Sequence, residues 1–267
     1  MLAFIPTPIG NLQDISKRSL KALEDAQIIF CEDTRVSKKL LSLLDIPHDD
    51  KKFISFHSHN ENSVIQKLDK TLFEKDVIYM SDAGMPTISD PGCSLVRFAQ
   101  ENDILYEVLP GANAALLAYA ASGFYDNKFL FFGFLPHKGK DRKEALQKAI
   151  NSEFITIIYE SPHRISKLID ELNELIPSRE IFIIKEATKL HEYKKRALAK
   201  EIKDEFNKID KRGEWVVVID SQKKSGGTIT KEDILSLNLP KKEMAKLLAK
   251  LEDRSVKECY NELIKVK

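Results

Sequence analysis

Short apolar runs of four to seven residues recur along this chain, and a helical pattern follows most of them. LAFI (2–5) leads through a turn into DISKRSLKALEDA (14–26), where Ile15, Leu20 and Leu23 form an apolar stripe at helical spacing. QIIFC (27–31) precedes the helical RVSKKLLSLL (35–44), which stops before Pro47. VIYM (77–80), the helix CSLVRFAQE (93–101) and ILYEVL (104–109) repeat the cycle. Continuously apolar strands alternating with helices predict a parallel sheet covered on both faces.

A second cycle begins after the turn at 122–127. Its strands are FLFFGFL (129–135), FITIIYE (154–160), EIFIIKE (180–186) and EWVVVID (214–220), with helices over 143–150 and 164–175. The predicted organisation is therefore an α/β lobe over 1–123, a second α/β lobe over 124–221, and a helical extension over 229–267 behind the linker QKKSGGT (222–228). Pro240 in the first turn of 239–251 and Ser255 ahead of 255–265 mark two of the extension's helices.

In an open parallel sheet, ligands gather at the carboxyl ends of the strands. The residues just past each run are therefore informative. PTPIGN (6–11), CEDTR (31–35), SDAGMPTISDPG (81–92), PGANAA (110–115), SPHR (161–164) and EATK (186–189) all stand at such ends. The twelve residues 81–92 hold two Asp, two Pro and two Gly, with the near-copies Ser81-Asp82 and Ser89-Asp90. Gly84 can supply a positive φ, and Pro86 and Pro91 fix theirs, so the segment reads as a rigid loop that aims backbone groups at a ligand. Read alone it is also a plain long turn. No G-x-G-x-x-G, phosphate-binding lysine loop or H-E-x-x-H is present. No Cys, His or carboxylate spacing points to a metal.

Glu160, His163 and Arg164 lie within five residues at one strand end. They suit acid–base work on a hydroxyl, yet Glu160–Arg164 also reads as an ion pair and His163 as a helix cap. Asp33-Thr34 suits the N-cap of the helix over 35–44, and Arg35 beside it suits a phosphate. Segment 185–200 carries six Lys or Arg against two Glu, and the chain from 222 carries eleven against seven acids. In a protein of net charge +1 these are focused patches, which fit a polyanion as well as a solvated face. The three Cys show no C-x-x-C spacing and read as reduced thiols. The longest apolar stretch, 114–124, falls short of the roughly 18–20 residues of a membrane span. With no basic leader before Pro6, a cytoplasmic protein is expected.

Taken in order over residues 5–217, PTPIGN, CEDTR, SDAGMPTISDPG, PGANA, FLFFGFLP, YESPHR, EATK and GEWV resemble the tetrapyrrole-methylase superfamily of S-adenosylmethionine-dependent enzymes. Within it they are most similar to the branch that 2′-O-methylates the ribose of a cytidine in the decoding region of 16S ribosomal RNA. The resemblance implies two α/β lobes with S-adenosylmethionine in the cleft between them, a homodimer, and 16S rRNA or the small ribosomal subunit as partner. It implies donor contacts from Ser81, Asp82, Ala83, Gly84, Pro86, Ile88 and Ser89, and from Pro110, Gly111, Asn113 and Ala114. In the second lobe it implies Tyr159, Ser161, Ala187, Gly213 and Trp215. The chain departs from the family pattern at Ala112, Asn113 and Ala187 without losing an obvious chemical group, and at Met85, larger than the usual Thr, where a slightly different loop packing is expected.

Methyl transfer from a sulfonium needs proximity and a base for the weakly nucleophilic hydroxyl. His163, Glu186 and Glu160 are the expected bases, and Lys189 a charge stabiliser. Arg35, Arg164, Lys185, Lys194, Lys195 and Arg196 are the expected RNA contacts. Two other readings stay open: a methylase of a tetrapyrrole-type small molecule, and a non-enzymatic RNA-binding or ribosome-assembly module.

Overall fold

The computed structural model describes residues 1–222, 230–237 and 239–265. Two compact units appear, Met1–Gln222 and Lys223–Lys267. The predicted linker 222–228 falls almost entirely outside the described residues.

The first unit contains two five-stranded sheets. The first is built from β1 (Leu2–Ile5), β2 (Ile28–Cys31), β3 (Lys52–Ser55), β4 (Val77–Met80) and β5 (Tyr106–Val108). Its order is β3-β2-β4-β1-β5 and every pairing is parallel. β1, β2 and β4 are buried along their whole length, as predicted for strands covered on both faces. One face packs α1 (Lys17–Asp25) and α2 (Thr34–Leu43) through Leu23 and Leu41. On the other lie α3 (Glu61–Ile65), a 3₁₀ turn at Lys70–Glu74, and α4 (Cys93–Glu101) around Phe30, Phe56 and Tyr79. β3 was not predicted; it is a sheet edge with polar ends, Lys52 and Ser55, and lacks an apolar run. The helix predicted over 14–26 begins later, because Asn11 caps a separate 3₁₀ turn and Ser16 caps α1.

After α5 (Ala114–Ser122) comes the second sheet: β6 (Phe129–Phe134), β7 (Ile155–Glu160), β8 (Glu180–Lys185), β9 (Tyr193–Leu198) and β10 (Trp215–Ile219), in the order β6-β7-β10-β8-β9. This sheet corrects the parallel reading for the second half. β6 and β7 are parallel, but β10 runs antiparallel to both β7 and β8, and β9 antiparallel to β8. The short connection 186–192 cannot carry a crossover, so the chain turns back as β9, an edge strand formed by the basic segment. α6 (Gly139–Ile150), α7 (Ile165–Leu175) and α8 (Ala199–Phe206) cover one face through Leu146, Leu168 and Phe206. The other face is covered by Ala115 and Ala118 of α5, although α5 precedes residue 124 in the chain.

The second unit holds α9 (Lys231–Ser236), α10 (Lys241–Glu252) and α11 (Val256–Lys265) around Ile234, Leu248, Cys259 and Leu263. Ser255 and Glu258 exchange capping hydrogen bonds at the start of α11, as the sequence predicts for Ser255. Among the described residues no helix is long and apolar enough to cross a membrane.

Candidate active site

The loop after β4 is fixed at three points. Thr7 and Gly84 exchange backbone hydrogen bonds of 3.0 and 3.1 Å, at a Gly84 φ of +86° that side chains rarely adopt. The Thr7 hydroxyl donates to the Ser81 carbonyl at 3.3 Å, and the Tyr79 hydroxyl to the Pro91 carbonyl at 2.7 Å. Gly92 closes against the same ring: a Cβ there would stand 2.8 Å from Tyr79 Cε1. The turn-rich segment 81–92 is thus a clamped structure.

The PGAN turn is fitted as tightly. A Cβ on Gly111 would lie 2.4 Å from Pro6 Cβ. Asn113 caps α5 by accepting from the Leu116 N–H, and the Tyr159 hydroxyl of β7 accepts from the Ala115 N–H at 3.0 Å. On the second sheet, the antiparallel course of β10 sets Trp215 opposite both Glu160 and Lys185. That brings the start of β10 to the edge where β7 and β8 end. Thr188 then meets the first lobe, its hydroxyl accepting from the Asn11 N–H.

These loops enclose a cleft of about 400 Å³ lined from both sheets. Of the expected donor contacts, Asp82, Ala83, Gly84, Ile88 and Ser89 line it from the loop after β4. Asn113 and Ala114 line it from α5, and Tyr159, Ser161 and Trp215 from the second sheet. Ser81, Pro86, Pro110, Gly111, Ala187 and Gly213 do not reach the cleft wall. Ser81 is buried, its hydroxyl set between the Gly84 carbonyl and the Asp90 carboxylate, so it shapes the loop from inside. Gly213, at φ +104°, gives room to Glu186, whose Cγ would stand 2.5 Å from a Cβ there. The lining also includes Ile9, Met85, Phe134 and Val216, and the acids Glu32, Asp90 and Glu214, none of which the sequence singled out as site residues. Glu32 and Asp90 sit inside the quoted strand-end motifs, which was the available signal.

Every titratable group in the lining is an acid: Glu32, Asp82, Asp90, Tyr159, Glu160 and Glu214. Burial pushes Asp90 up to about 6, and the neighbouring Asp82 charge adds to the shift against a hydrogen bond from Ser81. Burial likewise raises Asp82 and Glu32, the latter also feeling Asp90 and Asp82. Burial pushes Tyr159 up to about 12. The cleft therefore gathers partly desolvated acids beside the apolar Ile9 and Ile88.

The expected catalytic groups are placed less favourably. Glu160 lines the cleft, but Arg164 at 2.8 Å, Arg142 at 3.4 Å and the Ser161 N–H at 2.8 Å occupy its carboxylate. Of the two readings of Glu160–Arg164, the ion pair is the one formed. Glu186 accepts from Lys189 and from the Glu214 N–H, both at 2.9 Å. Burial opposes its charge, yet these hydrogen bonds leave its carboxyl below the usual range. Lys189 also bridges to Glu214 at 2.8 Å. Neither Glu186 nor Lys189 lines the cleft. His163 is exposed, lies outside the lining and does not cap α7, whose N-cap is Arg164.

The expected RNA contacts are all neutralised within the chain. Arg35 pairs with Asp33, which also caps α2, and this holds the Asp33 carboxyl near 2. Arg164 pairs with Glu160, Lys185 with Asp210 at 3.7 Å, and Lys194 with Glu192. Lys195 pairs with Glu205, and Arg196 with Glu180 at 2.7 Å. The basic strip is largely a row of ion pairs: Glu192 within it takes Lys194, and Asp210, Glu205 and Glu180 from outside it take Lys185, Lys195 and Arg196.

The family description "Tetrapyrrole (Corrin/Porphyrin) Methylases" matches residues 1–203. The "Ribosomal RNA small subunit methyltransferase I" of Campylobacter fetus is 52% identical over 270 residues, covering 99% of this chain and 100% of that relative. The protein of the same name from Helicobacter pylori strain J99 is 41% identical, covering 97% and 96%. Among solved structures, diphthine synthase superposes with a TM-score of 0.61 at 14% identity, covering 82% of this chain and 89% of that one. Cobalt precorrin-4 methyltransferase gives 0.58 at 17% identity, covering 82% and 94%. Those two likenesses show the fold. Together with the cleft between two sheets and the close full-length relatives, the match places the chain: it belongs to the tetrapyrrole (corrin/porphyrin) methylase family, in the branch of the ribosomal RNA small subunit methyltransferases I.

Proposed function

We propose that this protein methylates the ribose 2′-oxygen of small-subunit ribosomal RNA, with S-adenosylmethionine as donor. The observation that carries this reading is the cleft itself, walled by apolar side chains and charged only by acids. S-adenosylmethionine supplies a methyl group already activated on a cationic sulfonium. The residues present fit such a molecule. A volume of about 400 Å³ falls in the roughly 300–1,000 Å³ range of small-molecule sites. Asp82, Asp90 and Glu32 favour a cation, and Ile9, Ile88 and Val216 offer apolar walls. The loop 82–84 is fixed by the Thr7–Gly84 bridge, so contact with a ligand needs little reorganisation.

The names of the full-length relatives support ribosomal RNA as the acceptor. The finer reading names a cytidine of the decoding region, reached as free RNA or small subunit by a cytoplasmic homodimer. Against a tetrapyrrole substrate stand the full-length relatives, each of which carries the name of a ribosomal RNA methyltransferase. A non-enzymatic binding module is separated from both by donor binding. The test is calorimetry of the protein with S-adenosylmethionine, joined to mass mapping of ribose methylation in 16S rRNA from cells with and without the gene. Absence of donor binding, or an unchanged methylation map, overturns the proposal.

A further inference from the structure

We infer that Phe134 is the stacking platform for the base of the acceptor nucleotide, and that it thereby sets the attached ribose at the mouth of the cleft. The inference rests on the methyl-transfer reading above and names what holds the acceptor. Phe134 lines the cleft yet is 54% exposed, at the end of β6, an edge strand of the second sheet. A flat ring open to solvent in a cleft wall suits an unpaired nucleobase, which offers a π-face of its own.

A bulge aims the ring. β6 and β7 shift register between Phe131 and Gly133, so that Phe131 stands opposite Ile157 and Phe134 opposite Tyr159. In a regular strand, residues three apart point to opposite faces. Here Phe131 and Phe134 both meet the Tyr159 ring edge-on, at 5.0 and 5.6 Å between centroids. Phe132, the extra residue, packs against the core on the other face, under α6, α7 and α8. Gly133 takes a φ of +70°, and a Cβ there would meet nothing within 4 Å, so the backbone angle of the bulge alone calls for glycine.

The buried ion network around Glu160 supports this position. Arg164 joins Glu160 at 2.8 Å and donates to the Leu135 carbonyl at 2.9 Å. Arg142 joins Glu160 at 3.4 Å and donates to the Pro136 carbonyl at 3.3 Å. Both carbonyls belong to the two residues after Phe134, and Leu135 is buried, so the platform is held from beneath. Charge points to the same occupant. The titratable groups lining the cleft are all acids, which repel phosphates, so the uncharged base and ribose are the part of an RNA strand that can approach. Cations stand outside the lining: His137 and Lys138, shortly after Phe134, and His163 in the loop after β7, all three exposed. Phosphates on either side of the stacked nucleotide would meet them there. A base inside a duplex is covered on both faces, so the nucleotide that Phe134 takes is an unpaired one.

The experiment compares wild type with Phe134→Leu, which keeps apolar bulk without a ring face, with Phe134→Tyr, which keeps the ring, and with Phe134→Trp. It measures methylation kcat/KM on 16S rRNA from cells lacking the gene, and S-adenosylmethionine affinity by calorimetry in parallel. Phe134→Leu is expected to lower kcat/KM by about 5–150-fold, the loss that goes with one stacked base. Phe134→Tyr should retain most of the wild-type value. The emission of Phe134→Trp should be quenched when that RNA is added, while Trp215, the one Trp of the natural chain, is buried and donates to the Lys211 carbonyl. A Phe134→Leu variant as active as wild type, a Phe134→Tyr variant as slow as Phe134→Leu, or a Phe134→Trp variant without quenching overturns the assignment. So does a donor affinity that falls with Leu and returns with Tyr, because the ring would then serve the donor. Wild-type protein that neither binds the donor nor methylates this RNA brings down the methyl-transfer reading instead.

Discussion

The backbone N–H of Asn11 donates to the Thr188 hydroxyl at 3.1 Å, joining residues 177 positions apart. One belongs to the loop after β1, the other to the loop after β8, so this hydrogen bond crosses between the two sheets that wall the cleft. Gly10 makes the approach possible. A Cβ there would stand 2.5 Å from Lys189 Cγ, 2.6 Å from Thr188 Oγ1 and 2.9 Å from the Ala187 carbonyl oxygen. The last is backbone, and the loop that carries it already holds Glu186 and Thr188 at positive φ. Segment 186–189 thus acts as a strut between lobes, which is why Ala187 does not reach the cleft.

The first prediction comes from that contact. Gly10→Ala should lower stability by about 1–3 kcal/mol, the usual range for overpacking. It should also weaken S-adenosylmethionine binding although Gly10 does not line the cleft. Thermal unfolding and calorimetry on the variant are the checks. An unchanged melting temperature would show that the strut yields freely.

The second prediction concerns charge beneath the site. Arg142 is only 1% exposed, yet it donates to Glu171, to Glu160 and to the Pro136 carbonyl. Arg142→Met leaves the buried Glu160 and the part-buried Glu171 short of a partner and should cost about 3–5 kcal/mol. Lys21→Ala removes the exposed, solvent-screened pair with Asp25 and should leave the unfolding midpoint nearly unchanged. Urea denaturation of both variants tests the contrast. Equal losses would mean that burial of the Arg142 network contributes nothing.

Much of this arrangement was legible in the residues. β1, β2, β4, β7, β8 and β10 are apolar runs because they are buried on both sides, and the loops of the cleft show themselves by Gly, Pro and Asp. Edge strands do not: β3 begins at Lys52, and β9 carries Lys194, Lys195 and Arg196. Strand direction was hidden as well. A fully buried strand such as Trp215–Ile219 looks alike whichever way it runs. Proximity in sequence also misled at YESPHR, where Arg142 and Arg164 take up Glu160 and His163 stays outside the cleft. Such saturation depends on a residue of α6, which no local pattern ties to Glu160.

The third prediction is a stability–pH relation. The Asp90 carboxyl rises from 3.8 to about 6 on folding, so the folded state binds the proton more tightly than the unfolded chain. The stability this contributes is complete below about pH 4 and is lost as pH rises through about 6. Asp90→Asn is neutral at every pH. It should therefore match wild type near pH 4 and exceed it above pH 7, by about 1 kcal/mol once solvent screening of a part-exposed group is allowed for. Thermal melts across this range decide it. A stability difference independent of pH would show that Asp90 titrates as an ordinary exposed carboxylate.

The fourth prediction concerns the helical extension. From residue 229 the chain holds nine Lys or Arg against seven Asp or Glu, a small excess. Much of it is internally neutralised: Lys231 bridges Glu252 and Glu262, Arg254 bridges the same two acids, and Lys246 pairs with Glu243. Lys241 donates to the Leu263 carbonyl. Lys242 and Lys250 of α10 and Lys257 of α11 are exposed and have no ion pair among the described residues. If these three meet phosphates, removing 229–267 should flatten the logarithmic salt dependence of RNA binding by about two to three, the counterions that three contacts release. Donor binding should be nearly intact, since every residue that lines the cleft precedes 217. A salt titration of 16S rRNA binding by full-length and truncated protein makes the comparison. Unchanged slope and affinity would remove the extension from RNA binding, and loss of donor affinity would instead tie it to the integrity of the cleft.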